Sequence, residues 1–218
     1  MADSGFVFRG SLFSLDFIED GVRRLPEWAA VADAEIEDLR DALLGIVSRF
    51  PADKKPNESQ TEDDLIWPVL ARLGWDASLR QQNLAVKGRD DVPDGILFES
   101  EASKADANAH PQEWKRYEFG LAIVESKRWG RPLDRRSGSR GDDSLAPSTQ
   151  MLRYLRRVED LTTGKLRWGI LTNGAIWRLY YSGARSVSEQ FFELDLAAVL
   201  GLEGQDGGLF ALDDEARL

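Results

Sequence analysis

The stretch from Phe119 to Lys127 constrains the fold more than any other part of the chain. Phe119 to Val124 are apolar or small, and Glu125-Ser126-Lys127 follow without a break. A short apolar run with β-branched members, closed by charge, predicts a central strand covered on both faces. Alternation along that strand sends Glu125 and Lys127 to one side and Ser126 to the other. An acid and a base therefore stand together at the end of a buried strand. Burying either charge is costly unless a partner or a metal compensates it. Upstream, Val92-Pro93-Asp94-Gly95-Ile96-Leu97-Phe98 sets an aspartate at a turn that opens a second apolar strand.

The remaining elements follow from periodicity. Ile36, Leu39, Leu43, Ile46, Val47 and Phe50 fall at helical spacing over 33–50, with Glu35, Glu37, Asp38 and Asp41 on the other face. A second helix is expected over 59–73, with a kink or late start at Pro68. Strands are expected near 79–86, 93–99, 117–127, 166–172 and 176–181, with an edge strand within 191–196. The last two of the five are joined by the hairpin signal Asn173-Gly174. A helix over 148–161, capped by Ser148 or Thr149, buries Met151, Leu155 and Val158 and exposes Arg153, Arg156 and Arg157. Residues 99–113 have little to bury and read as an extended hairpin tip or a partly disordered insert. His110, the single histidine, falls there and reads as a surface residue.

With 218 residues, the chain can build one substantial α/β domain with a helical addition. The absence of cysteine excludes a disulfide framework, thiolate chemistry and a Cys-type zinc site, and suits a cytoplasmic location. No apolar run approaches the ~18–20 residues a membrane span needs, so no membrane partner is expected. Net charge is −10, which argues mildly against nucleic-acid binding. The distribution of that charge points the other way. Between Lys127 and Arg167, eleven Lys or Arg face five Asp or Glu, a local balance of +6. Local charge is what meets a phosphate backbone.

Asp94 followed by Glu125-x-Lys127 has the form of the PD-(D/E)XK nuclease motif. Gln150-Met151-Leu152-Arg153-Tyr154 fits the Q-x-x-x-Y helix motif of one large branch of that superfamily. Glu62 sits where such enzymes often carry an acid on the helix before the sheet. The stretch from Trp168 to Tyr180, with Thr172-Asn173-Gly174 and Trp177, resembles a hairpin of restriction endonuclease domains. Together, over roughly residues 55–200, these motifs resemble the N-terminal endonuclease domain of type IIG-like restriction–modification enzymes. The resemblance implies an α/β fold with a restriction-endonuclease-like mixed central sheet flanked by helices. With the resemblance confined to the nuclease domain (55–200), the residues before it read as an N-terminal helical extension packed on that domain (1–54), and those after it as an acidic connector (201–218) expected to start a missing downstream region. It implies a Mg²⁺-dependent DNA endonuclease of phage defence, acting on double-stranded DNA. Its implied partners are downstream methyltransferase and target-recognition domains. A type I restriction motor subunit's nuclease domain, or a non-cleaving DNA-binding domain of the same fold, are the alternatives.

Phosphodiester hydrolysis needs a placed water, a route to deprotonate it and neutralisation of phosphate charge, which Mg²⁺ and carboxylates can provide. Asp94, Glu125 and the Ser126 carbonyl are the expected metal ligands, with Glu62 acting through water and Lys127 on water and phosphate. Gln150, Tyr154, Arg128, Arg153, Arg156 and Arg157 are the expected DNA contacts; for Gln150 and Tyr154, orienting Lys127 is the other role. Each assignment has a plainer counterpart. Asp94 can be a turn residue, and Glu125 with Lys127 an ion pair. Ser59-x-x-Glu62 can be a capping box. Tyr154 can pack on the sheet with Gln150 at its rim.

Overall fold

A computed structural model of the chain describes residues 8–88, 90–134 and 146–202. Seven strands form one open sheet in the order β1-β7-β6-β5-β4-β3-β2. They are β1 (Phe8–Arg9), β2 (Ser78–Arg80), β3 (Gly95–Leu97), β4 (Ala122–Ser126), β5 (Trp168–Thr172), β6 (Ile176–Tyr181) and β7 (Phe191–Asp195). The helices are α1 (Pro26–Ala29), α2 (Asp33–Arg49), α3 (Glu58–Thr61), α4 (Trp67–Arg72), α5 (Glu101–Asn108), α6 (Glu113–Arg116), α7 (Pro147–Leu161) and α8 (Leu196–Val199). The fold is mixed α/β. Only β4 and β5 run parallel; the other neighbouring pairs are antiparallel. That parallel pair requires a crossover, and α7 lies within it.

Both faces of β4 are covered, as its apolar run requires. Ile123, Ile96 and Leu171 pack with Met151, Tyr154, Leu155 and Val158 of α7 on one face. Ala122, Val124 and Leu97 pack with Leu43 and Val47 of α2, Leu65 and Ile66, and Val69 and Leu70 of α4 on the other. Residues 8–54 thus contribute to the sheet and its core: β1 pairs with β7, and α2 shares the second core. Gly169 lets α7 approach β5, since a Cβ there would lie 2.7 Å from Met151 Sδ.

Several local expectations change. The strand expected over 79–86 ends at Arg80, because Gln81 takes a left-handed φ of 52°. Residues 99–113 contain helices rather than a hairpin tip. Ser100 caps α5, and Ala107 enters the core. A run poor in large apolar residues but rich in Ala still favours helix. The cap before α3 is Asn57 with Gln60, each side chain bonding the other's backbone N–H. Glu62 is therefore not used in a capping box. A π-turn over Glu62–Ile66 then delivers the chain to Pro68 in the first turn of α4. The wider turn accommodates the hydrogen bond a proline cannot make. α7 starts at Pro147 after Ala146, a proline-at-N1 start without a side-chain cap. Most of the expected acidic connector, 203–218, lies outside the described residues, as does 135–145. Among the described residues no helix is long and apolar enough to cross a membrane.

Candidate active site

The candidate site lies at the C-terminal end of β4. The register pairs Gly95 with Val124 across the antiparallel β3–β4 ladder. One residue further, Asp94 falls opposite Glu125. The peptide N–H of Ser126 donates to Asp94 Oδ2 at 2.7 Å. Lys127 lies just past β4, and its N–H donates to the Thr172 carbonyl at 2.8 Å, so the ladder holds its backbone.

The alternation of β4 sorts its polar end. Glu125 and Lys127 share a side, and Lys127 Nζ lies 2.5 Å from Glu125 Oε1. Ser126 turns towards the helix that carries Glu62. Its hydroxyl lies 2.7 Å from Glu62 Oε1 and 2.7 Å from Asp94 Oδ2. One hydroxyl proton can serve only one of these acceptors. The other contact calls for a proton on a carboxyl group or for a cation nearby. Arg80 of β2 approaches Glu62 Oε2 at 3.0 Å and Asp63 Oδ1 at 2.8 Å. Glu58, one turn before Glu62, stands 4.0 Å from Lys127 Nζ and accepts from the Arg128 N–H at 3.2 Å.

Acid outweighs base at this site. Glu125 is 2% exposed, and its buried Oε2 has no hydrogen-bond partner among the described residues. Burial, reinforced by the neighbouring Asp94 charge, pushes its pKa up to about 8, with Lys127 only partly offsetting this. Burial also raises Asp94; hydrogen bonds from Ser126 oppose the shift, and Glu62 adds to it. For Lys127, burial alone would favour the neutral amine, but Glu125 and Glu58 outweigh it and raise the ammonium's pKa. The shifts of Glu125 and Lys127 run in the same direction, although an isolated ion pair would lower the acid. Burial of the carboxylate and the Asp94 charge account for the difference.

The donor set fits a hard divalent cation. Asp94 and Glu125 are adjacent, and the orphaned Glu125 Oε2 lacks the partner that a buried oxygen requires. Among the described residues, no three His, Cys, Asp or Glu side chains converge as a metal cluster. Two carboxylates nevertheless suit Mg²⁺, which retains several waters. Glu62 is held in the adjoining network by Ser126 and Arg80.

The expected DNA contacts separate into two groups. Gln150 Nε2 donates to Tyr154 Oη at 3.0 Å, and the Tyr154 hydroxyl reaches the Val92 carbonyl at 3.4 Å. Arg153 and Arg157 both bind the buried carboxylate of Asp91. Arg128 and Arg156 are exposed. Sequence pattern does not single out Asp91: only folding shows why the first acid of Asp91-Val92-Pro93-Asp94 is buried. Its one local signal is an acid three residues before Asp94, beside a turn where acids are ordinary.

Comparison with protein-family models finds no match, and no curated protein or solved structure matches the chain.

Proposed function

We propose that the chain is a Mg²⁺-dependent DNA endonuclease domain with a restriction-endonuclease-like sheet. The observation that carries this reading is the meeting of Asp94, Glu125 and Lys127 at one strand end, with acid in excess and one carboxylate oxygen orphaned. A purely structural ion pair would not need the third charge or leave that oxygen unmatched. Asp94 and Glu125 would hold the cation, which when bound supplies charge neutralisation and an activated water. Lys127, buried to 5% exposure, would hold the attacking water and face the phosphate. Ser126 fixes Asp94 through its N–H and hydroxyl, and links it to Glu62. Association with a methyltransferase and a target-recognition domain follows from the motif resemblance and belongs to the same proposal.

Calorimetry with Mn²⁺, run beside plasmid cleavage in Mg²⁺ or EDTA, tests this reading. Wild-type chain should bind the ion and cut only with metal. Asp94→Ala should abolish both. Unchanged Mn²⁺ binding in that variant would remove the metal assignment. DNA binding without cleavage by a metal-loaded chain would favour the non-cleaving alternative.

A further inference from the structure

Asp91 is 6% exposed, yet both of its oxygens are taken by arginines of one helix. Arg153 Nη2 lies 2.8 Å from Oδ1, and Arg157 Nη1 contacts Oδ2. The two arginines stand four apart on α7 and present one face. Their side chains remain 48% and 42% exposed. Two half-exposed cations thus converge on one buried anion. The chain from Asp91 to Asp94 is then held at each residue. The Asp91 carbonyl accepts from the Leu84 N–H at 2.8 Å. The Val92 carbonyl receives the Tyr154 hydroxyl. Pro93 is buried, and its ring fixes φ. The Asp94 carbonyl accepts from the Gln81 N–H at 3.0 Å, and its carboxylate is bound by Ser126.

We infer that Asp91, clamped by Arg153 and Arg157, is a positioning residue that sets Asp94 for cation binding. The inference rests on the endonuclease reading above and gives α7 a role distinct from DNA contact. The loop entering β3 has no ladder partner at Asp91. Its backbone is tied to the 81–84 segment, where the Asp91 N–H donates to Asn83 Oδ1 at 3.3 Å and its carbonyl accepts from Leu84, while the clamp fixes the Asp91 side chain and Tyr154 the Val92 carbonyl. A carboxylate displaced by a fraction of an ångström is a poorer ligand for Mg²⁺, which demands near-ideal octahedral geometry. The clamp therefore acts on metal affinity through Asp94. The same arginines cannot grip Asp91 with these donors and a phosphate at once.

The test uses the full chain and four measurements: Mn²⁺ affinity by calorimetry, metal-free DNA affinity against salt, melting temperature, and cleavage against Mn²⁺ concentration. Asp91→Asn keeps the shape and removes the charge. It should weaken Mn²⁺ binding by about tenfold or more, the loss expected when a group orienting a metal ligand is removed. Metal-free DNA binding should hold or strengthen as the arginines are released. Saturating Mn²⁺ should restore most of the cleavage, which repair of a merely structural defect would not do. Should Asp91→Asn fail to fold, the half-exposed pair Arg153→Gln/Arg157→Gln carries the test, and Arg153→Lys/Arg157→Lys should recover part of the Mn²⁺ affinity. Wild-type Mn²⁺ affinity in the Gln pair, with a flattened DNA salt dependence, overturns the proposal in favour of phosphate contact. Asp94→Ala separates the two levels. Loss of Mn²⁺ binding there, with none in the clamp variants, sinks only the positioning role. Retention of Mn²⁺ binding in Asp94→Ala sinks the underlying reading.

Discussion

Two clusters of buried charge lie along one row of the sheet, and they are built in opposite ways. The register aligns Glu125 with Leu171, Leu171 with Arg178, and Arg178 with Glu193. At one end is the acid-rich site of Glu125, Asp94 and Lys127. At the other, Arg178 uses all five of its N–H donors. Nε and Nη2 reach Glu193, both Nη atoms reach Asp134, and Nη1 also reaches Tyr180 Oη. Phe191 stacks on the guanidinium with its ring centre 4.2 Å away. Arg9 approaches the second Glu193 oxygen at 3.4 Å. Hydrogen bonds from Arg178 hold Asp134 below its ordinary pKa, whereas Glu125 is pushed up. A satisfied network rigidifies a fold; a partly satisfied one at a strand end is a candidate for chemistry. Buried Leu171 stands between them, and Arg178 has no donor left for Glu125.

The largest expected effect is structural and falls on the satisfied cluster. Arg178→Ala leaves Glu193 buried with the exposed Arg9 as its one remaining cationic partner among the described residues, and should cost about 3–5 kcal/mol of stability. Urea denaturation measures it. A loss below about 1 kcal/mol would erase the contrast between the clusters.

Lys127→Ala should act on rate rather than on stability. Cleavage per folded molecule should fall about 10²–10³-fold, as for loss of one preorganised charge-stabilising donor. Its stability loss should be smaller than that of Arg178→Ala, because below about pH 8 Glu125 holds a proton and removal of Lys127 strands no carboxylate charge there. A large fall in melting temperature with undiminished cleavage would reduce Lys127 to an ion-pair partner.

Glu125 gives a pH-dependent effect. Its folded pKa of about 8 lies above the ordinary carboxyl value of 4.5. Between these values the folded chain holds a proton that the unfolded chain has released. Stability therefore declines as pH rises through that window and levels off above about pH 8. Glu125→Gln should flatten the decline, so its advantage over wild type grows from pH 5 to pH 8. Parallel stability curves for the two proteins would show that Glu125 is not the strained group.

The acid-rich cluster is more legible in the sequence than the satisfied one. Its residues sit on a run whose periodicity fixes both strand and facing, and Asp94 precedes a second such run. The Arg178 cluster depends on pairing β6 with β7 across a long connection whose length does not set the register. Its trace is an arginine between Trp177 and Leu179 in an otherwise apolar strand. The Asp91 clamp joins residues 62 and 66 positions apart and leaves no local pattern. Around Glu62, two overlapping capping patterns compete. Asn57 with Gln60 prevails, and the π-turn before Pro68 puts Glu62 beside Ser126.

The smallest expected effect separates engaged from exposed arginines. If the domain binds DNA, each phosphate contact removed should reduce the magnitude of the slope of log affinity against log salt by about 0.9. Arg128 and Arg156 are exposed, whereas Arg153 and Arg157 are held by Asp91. To offer a phosphate the donors that hold Asp91, the clamped pair must first surrender a buried carboxylate, which is costly to leave unpaired, so only their remaining N–H groups are free for DNA. Arg128→Ala/Arg156→Ala should therefore flatten the slope by nearly two contacts, and Arg153→Ala/Arg157→Ala by clearly less. Fluorescence anisotropy across a salt series, without metal, compares the two pairs directly. Equal flattening would mean that DNA opens the clamp, making α7 a contact surface as well as a strut. A slope near zero in the wild type would leave the +6 balance between Lys127 and Arg167 without a role in binding.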